Sequence, residues 1–314
     1  MPATETVPPA TPAVRDRFQL HPRGPFSLAL AAGHEFGPRR APGESGVMRL
    51  AFCLDSLRGQ AGVLLRQAGD GSVHGRVVGG ADPAEVAPQV ARILSLDHDG
   101  AAWPEVGRTD PVLGRLQALH HGFRPVLFCS PYEAACWGVI AGHRRQLRAL
   151  PVRRALCRLA GAEFDLEGVA EPAFPTPEAL LRLDAAPELD REQIRRLHGI
   201  AEAALEGRLD PSALRRMEPE EAREQLRSLP GIGPFYSGLI LVRAAGPVDC
   251  MVFEPRLLRA VAHYYRRPGT PAVLAELGER WRPFRSWAAV LIRRAGHVEL
   301  GSNPPPVPAR VHPE

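Results

Sequence analysis

The spacing of apolar positions changes character about a third of the way along the chain. Residues 25–30, 46–54, 62–67 and 72–78 are short alternating runs separated by clusters of Gly, Pro and Asp. That period turns one face of each run towards a core and predicts antiparallel strands. Residues 81–96 then take the three-to-four spacing of a helix laid on such a sheet. Together these predict an N-terminal α+β domain over residues 15–105, a usual size for a unit with its own core. Further on the strands stop. Residues 110–121, 131–141, 146–160, 176–183, 191–206, 218–229, 234–245, 254–265, 270–281 and 284–295 all carry helical spacing. Several of these runs open on a capping pair such as Ser130-Pro131 or Thr176-Pro177, where the hydroxyl takes an orphan amide proton. The predicted fold class is mainly α, with a small antiparallel sheet at the N-terminus and a helical domain over 106–298. Residues 1–14, rich in Pro, Thr and Ala, and residues 299–314, rich in Pro, read as loose tails.

The most informative local stretch is 220–254. It reads as a helix, the five-residue turn Leu229-Pro230-Gly231-Ile232-Gly233, and a second helix from Pro234. The glycines permit backbone angles that other residues resist, and proline suits the first turn of a helix, whose amides have no partner within it. Unpaired amides at a helix start bind anions, so the turn residues Leu229, Gly231, Ile232 and Gly233, with Pro234 opening the helix behind them, are candidates to hold a DNA phosphate without reading sequence. An ordinary glycine corner between two helices produces the same pattern.

Composition narrows the classes. No apolar run approaches the ~20 residues that cross a bilayer, and the N-terminus lacks the layout of a signal peptide, so no membrane association and a cytoplasmic enzyme or binding protein are expected. The five cysteines, Cys53, Cys129, Cys136, Cys157 and Cys250, match neither a zinc site nor a disulfide framework and read as buried thiols. The net charge of +4 is compatible with a polyanionic partner. All 39 basic residues are arginine, so no lysine amine exists for Schiff-base chemistry. There is no phosphate-binding loop or zinc motif, and no cofactor is expected.

A series of motifs runs through the chain in order: Pro25-Phe26, DPVL from Asp110, SPYEA from Ser130, FPTPEAL from Phe174, LPGIGP from Leu229, LRAV from Leu258 and WRPFRSWA from Trp281. Over residues 18–296 this order resembles the 3-methyladenine DNA glycosylase II family of the helix-hairpin-helix glycosylase superfamily. The resemblance implies a helix-hairpin-helix at 218–245 and an enzyme, expected to be a monomer on double-stranded DNA, that flips a damaged base out of the duplex and hydrolyses its glycosidic bond. Extrusion costs a few kcal/mol of unstacking, less for a badly paired lesion. Bond breaking builds positive charge on the sugar, which a carboxylate stabilises while it orients the attacking water.

In the family that carboxylate is an aspartate at the start of the helix after the hairpin pair, five residues before an arginine. The matching position, counted from Arg259, is Glu254. One extra methylene carries its carboxylate about an ångström further out, a misplacement that can cost ~100-fold in rate. Asp249, ten residues before Arg259, is the alternative. The resemblance further implies His143, beside Arg144, as the side chain filling the gap left by the flipped base, where the family usually has GQQIS. Phe235 falls where the family often has tryptophan at the lesion pocket, a position that suits a core aromatic equally; Trp137 and Tyr132, five apart on one helix, are candidates for the same pocket, with core packing the more usual role for Trp137. The backbone carbonyls of Arg227, Leu229 and Ile232 fall where relatives bind a monovalent cation. Trp281, Phe284 and Trp287 are expected in the core. Without lysine the activity is expected to be monofunctional, and with no cysteine after Cys250 the iron-sulfur branch is excluded. Two readings stand at this level: an active glycosylase, and a glycosylase-like protein that binds damaged DNA without excision.

Overall fold

The computed structural model describes residues 16–33, 46–142 and 146–300. The expected tails at 1–14 and 299–314, apart from Glu299 and Leu300, lie outside them, as do the proposed intercalating residues His143 and Arg144. The chain begins with β1 (Arg17–Leu20), α1 (Leu28–Ala32), β2 (Met48–Cys53), β3 (Gln60–Gln67), β4 (Val73–Val78) and α2 (Pro83–Ile93). The strands form an antiparallel sheet in the order β1-β4-β3-β2. In the central register Val63 lies opposite Leu50 on one side and Val77 on the other, and all three are buried against Val86, Val90 and Ile93 of α2.

Two features differ from the pattern reading. Residues 25–30, expected as a strand, instead lead into α1. There the Ser27 hydroxyl accepts from Leu30 N at 3.2 Å, and the following Leu and Ala residues are good helix formers. Their alternation is between two apolar types, so it carries no information about a buried face. The opposite face of the sheet is also covered, by the two-stranded hairpin β5 (Glu163–Asp165) and β6 (Ala170–Pro172). Phe164 of this hairpin approaches so closely that a Cβ at Gly62 would lie 2.7 Å from it, which only glycine allows.

The helices follow as α3 (Trp103–Thr109), α4 (Pro111–Leu119), α5 (Pro131–Ala141), α6 (Gln146–Ala160), α7 (Pro177–Leu181), α8 (Arg191–Leu205), α9 (Pro211–Arg216), α10 (Pro219–Arg227) and α11 (Pro234–Ile240). The last runs on as a π-helical turn, Leu241–Ala245, before α12 (Pro255–Tyr265), α13 (Pro271–Arg280) and α14 (Arg285–Leu300). Among the described residues nine of the fourteen helices open on proline. In most of these the preceding residue is Asp, Ser or Thr, whose side chain accepts a first-turn amide.

The helices bury two cores. One joins α5, α6, α8, α10 and α11; the other joins α3, α4, α12, α13 and α14 and contains Trp281, Phe284 and Trp287. Asp110 organises the second. While capping α4, it accepts from Trp281 Nε1 at 3.0 Å and from the Tyr265 hydroxyl at 2.7 Å. Burial, and then the bond to Asp110, raise the Tyr265 phenol far above its ordinary range. All five cysteines are buried and unpaired with one another. No described helix is long and apolar enough to cross a membrane.

Candidate active site

The hairpin after α10 packs through its apolar residues and presents its glycines. Leu229 and Ile232 are buried in the first helical core, Ile232 N donates to Leu229 O at 3.2 Å, and Gly231 is exposed at φ +78°. Gly233 caps α11 with its carbonyl, which accepts from Ser237 N at 2.9 Å. The turn therefore projects from a rigid base. At the end of α10 the carbonyls of Glu224, Gln225 and Leu226 are taken by the amides of Ser228 and Leu229. The Arg227 carbonyl follows them as the last of the helix, where carbonyls lack intrahelical partners.

From the π-helical turn the chain reverses at Gly246, φ +80°, and crosses to the second core. Here the residues of the WRPFRSWA motif act as its moorings. Ser286 Oγ lies 2.5 Å from the carbonyls of both Pro247 and Cys250 and accepts from Cys250 N at 3.1 Å. Ser286 N donates to Val248 O at 3.0 Å. Asp249 accepts from Arg285 Nε and Arg282 Nη1, both at 2.8 Å. Asp249 is thus engaged as a strut between this crossing and the start of α14. Burial pushes the Cys250 thiol up, which makes it a packing group and a poor nucleophile.

The crossing delivers Glu254 to the first turn of α12. Its Oε1 accepts from Leu257 N at 3.0 Å and its Oε2 from Arg256 N at 3.2 Å. From α14, Arg293 Nε donates to the same Oε1 at 2.6 Å. The side chain of Glu254 is only 11% exposed. It forms part of the wall of a narrow cavity of about 60 Å³ in the seam between the two helical cores. The other walls are Gly238, Leu239, Val242 and Arg243 of α11 and its π-helical extension, Cys250 and Val252 of the crossing, Leu257 of α12, and Ala289, Val290 and Arg293 of α14. Phe235 stands at this cavity half-exposed, edge-on to Tyr236.

The structure therefore brings Glu254 and Phe235 to one cavity and leaves Asp249 outside its lining. It does not bring Trp137 or Tyr132 there, a correction to the expected pocket. Both lie in the first core, with Tyr132 edge-on to Phe174 and its hydroxyl donating to Pro175 O at 3.2 Å. α5 is buried on every side from Pro131 to Ile140, so neither aromatic has an open face. Sequence reasoning missed Arg293 and Gly238. The available signal for Arg293 is the pair Arg293-Arg294 at the end of an apolar run, with Arg293 at the helical spacing of Ala289.

No family model matches the chain. It is 24% identical over 221 residues to a DNA-3-methyladenine glycosylase of Bacillus subtilis, covering 67% of this chain and 72% of that one. It is 26% identical over 228 residues to DNA-3-methyladenine glycosylase 2 of Escherichia coli, covering 70% of this chain and 76% of that one. Its fold superposes on the 3-methyladenine DNA glycosylase structure from Archaeoglobus fulgidus with a TM-score of 0.70 at 23% identity, over 89% of this chain and 98% of the other.

Proposed function

We propose that this chain, a member of the 3-methyladenine DNA glycosylase family, excises damaged bases from duplex DNA by hydrolysing the glycosidic bond, with Glu254 as the essential carboxylate. The observation that carries the assignment is the position of Glu254. It is an acid at a helix N-terminus, sequestered in the wall of a cavity between two cores, and reached along the chain from a solvent-facing glycine hairpin. Capping alone does not account for it. The other side-chain caps at proline-led starts are Asp, Ser or Thr, the residues that cap best, and glutamate is an unusual choice.

The chemistry follows from these groups. Gly231 and Gly233 offer backbone amides to a phosphate, and the stem of Arg196 lies beside Gly231 to add charge. A base turned out of the stack enters past Phe235, whose exposed ring can stack on it. As the glycosidic bond lengthens, the sugar gains positive charge, and the Glu254 carboxylate beside it stabilises that charge and orients the incoming water. The cavity wall is mostly apolar, which strengthens the interaction by excluding solvent. With no lysine in the chain, the reaction ends at hydrolysis and leaves an abasic site. A monovalent cation held by the carbonyls of Arg227, Leu229 and Ile232 would add positive charge next to the bound phosphate. The protein acts on DNA as a monomer at the bacterial nucleoid.

The test is single-turnover release of bases from a methylated duplex by the wild type, Glu254→Gln and Asp249→Asn. Expected is release by the wild type, loss of about 10²–10⁴-fold with Glu254→Gln, the usual range for removing such a group, and a much smaller loss with Asp249→Asn. Wild-type binding without release would refute glycosylase activity. Loss confined to Asp249→Asn would move the catalytic role to that residue.

A further inference from the structure

We infer that Arg293 is a positioning residue that fixes the glutamate carboxylate in its working orientation, and that the Glu254–Arg293 pair acts as one unit. This rests on the assignment of Glu254 above. A glutamate at a helix cap has one more rotatable bond than an aspartate, so the cap alone defines its carboxylate less closely. Here the additional freedom is removed from a second direction. Leu257 N and Arg256 N hold the two oxygens from α12, and Arg293 Nε, 39 residues further on, holds Oε1 from α14 at 2.6 Å. A carboxylate has about four acceptor positions. Three are occupied by these donors, two on Oε1 and one on Oε2, which leaves the remaining capacity on Oε2 for water or sugar.

The span from α14 is itself built into the fold. Gly296, one turn beyond Arg293, lets the two helices approach so closely that a Cβ there would lie 2.6 Å from that of Ala260 in α12. The helices are thus set at a distance that an arginine bridges through its Nε rather than through its terminal nitrogens. An aspartate in place of Glu254 would retain the cap but would end about one bond length short of Arg293. Glutamate and Arg293 therefore suit each other, and the pair answers the departure from aspartate at this position.

A double-mutant cycle with Glu254→Asp and Arg293→Ala, with Arg293→Lys and Glu254→Gln alongside, tests this by single-turnover excision and by duplex affinity under the same conditions. With Glu254 intact, Arg293→Ala is expected to slow excision by about 10- to 100-fold, as for an ångström-scale displacement, with affinity changed less than about threefold. Arg293→Lys restores part of the rate. In the Glu254→Asp background the same Arg293→Ala change is expected to alter excision less than about threefold, so that the two losses are strongly non-additive. Equal losses in both backgrounds, or faster excision by Arg293→Ala, would overturn the inference. Thermal melts of each variant separate loss of fold from loss of geometry. Full activity of Glu254→Gln would remove the underlying assignment instead, an outcome distinct from either.

Discussion

Ser286 offers a direct test of how the fold holds the site. Its side chain is 3% exposed and its hydroxyl serves the backbone of the crossing that ends at Glu254. Ser286→Ala removes the hydroxyl without adding volume. The Cys250 amide, buried at that point, loses its acceptor, and the carbonyls of Pro247 and Cys250 lose the donor they share. Leaving a buried amide unsatisfied costs about 1–3 kcal/mol. For a chain of this size each kcal/mol lowers the melting temperature by about 2–3 °C, so a fall of roughly 2–9 °C is expected. The other moorings, Asp249 to Arg282 and Arg285 and Ser286 N to Val248 O, remain, and the fold should survive. Glu254 lies four residues beyond Cys250, so slack in the crossing reaches the carboxylate. The single-turnover excision rate is expected to fall at least about tenfold, while affinity for a methylated duplex, set by the hairpin some distance along the chain, stays nearly constant. Circular dichroism melts and excision assays on the same preparations decide it. A melting temperature within about 1 °C of the wild type together with a wild-type rate would refute the view that Ser286 tethers the crossing.

Asp110→Ala should be more damaging to stability. It removes the cap of α4 and the acceptor for Trp281 and Tyr265, losses of about 1 kcal/mol for the cap and about 1.5–3 kcal/mol for each bond to a charged group, so denaturant melts should show about 4–7 kcal/mol less stability. A loss below about 1 kcal/mol would mean that the bonds to Trp281 and Tyr265 add nothing. Gly238→Ala should act on the cavity, because the new Cβ would lie 2.6 Å from a methyl of Val252. Relieving that contact displaces the segment leading into Glu254, with an expected cost of about 1–3 kcal/mol and slower excision at nearly unchanged duplex affinity. Wild-type excision by this variant would place the cavity outside the reaction.

Much of the architecture was legible in the chain because it is local. Among the described residues a proline preceded by Asp, Ser or Thr marks a helix start wherever it occurs, since the cap and the first turn lie within four residues of each other. The boundaries at Pro131–Ala141 and Gln146–Ala160 followed directly from spacing. The hairpin was equally plain, and so was the glutamate in register with Arg259. The short elements β1, α3, α9 and the β5–β6 hairpin escaped notice because each is too brief for a period to declare itself and is stabilised by what it packs against.

Side-chain direction was decided by the tertiary structure. α5 is apolar on all faces, so periodicity could not say whether Trp137 and Tyr132 look into a core or into a cavity, and the packing of the neighbouring helices put both in the core. Asp110 could be read as a cap, but not as the acceptor for Trp281, 171 residues away. The same holds at the site. The sequence by itself determined that an acid would stand at the start of α12 behind a glycine hairpin. Only the close approach of α14 determined that this acid would meet Arg293, because a contact between distant segments depends on how whole helices pack and leaves no periodic trace in either one.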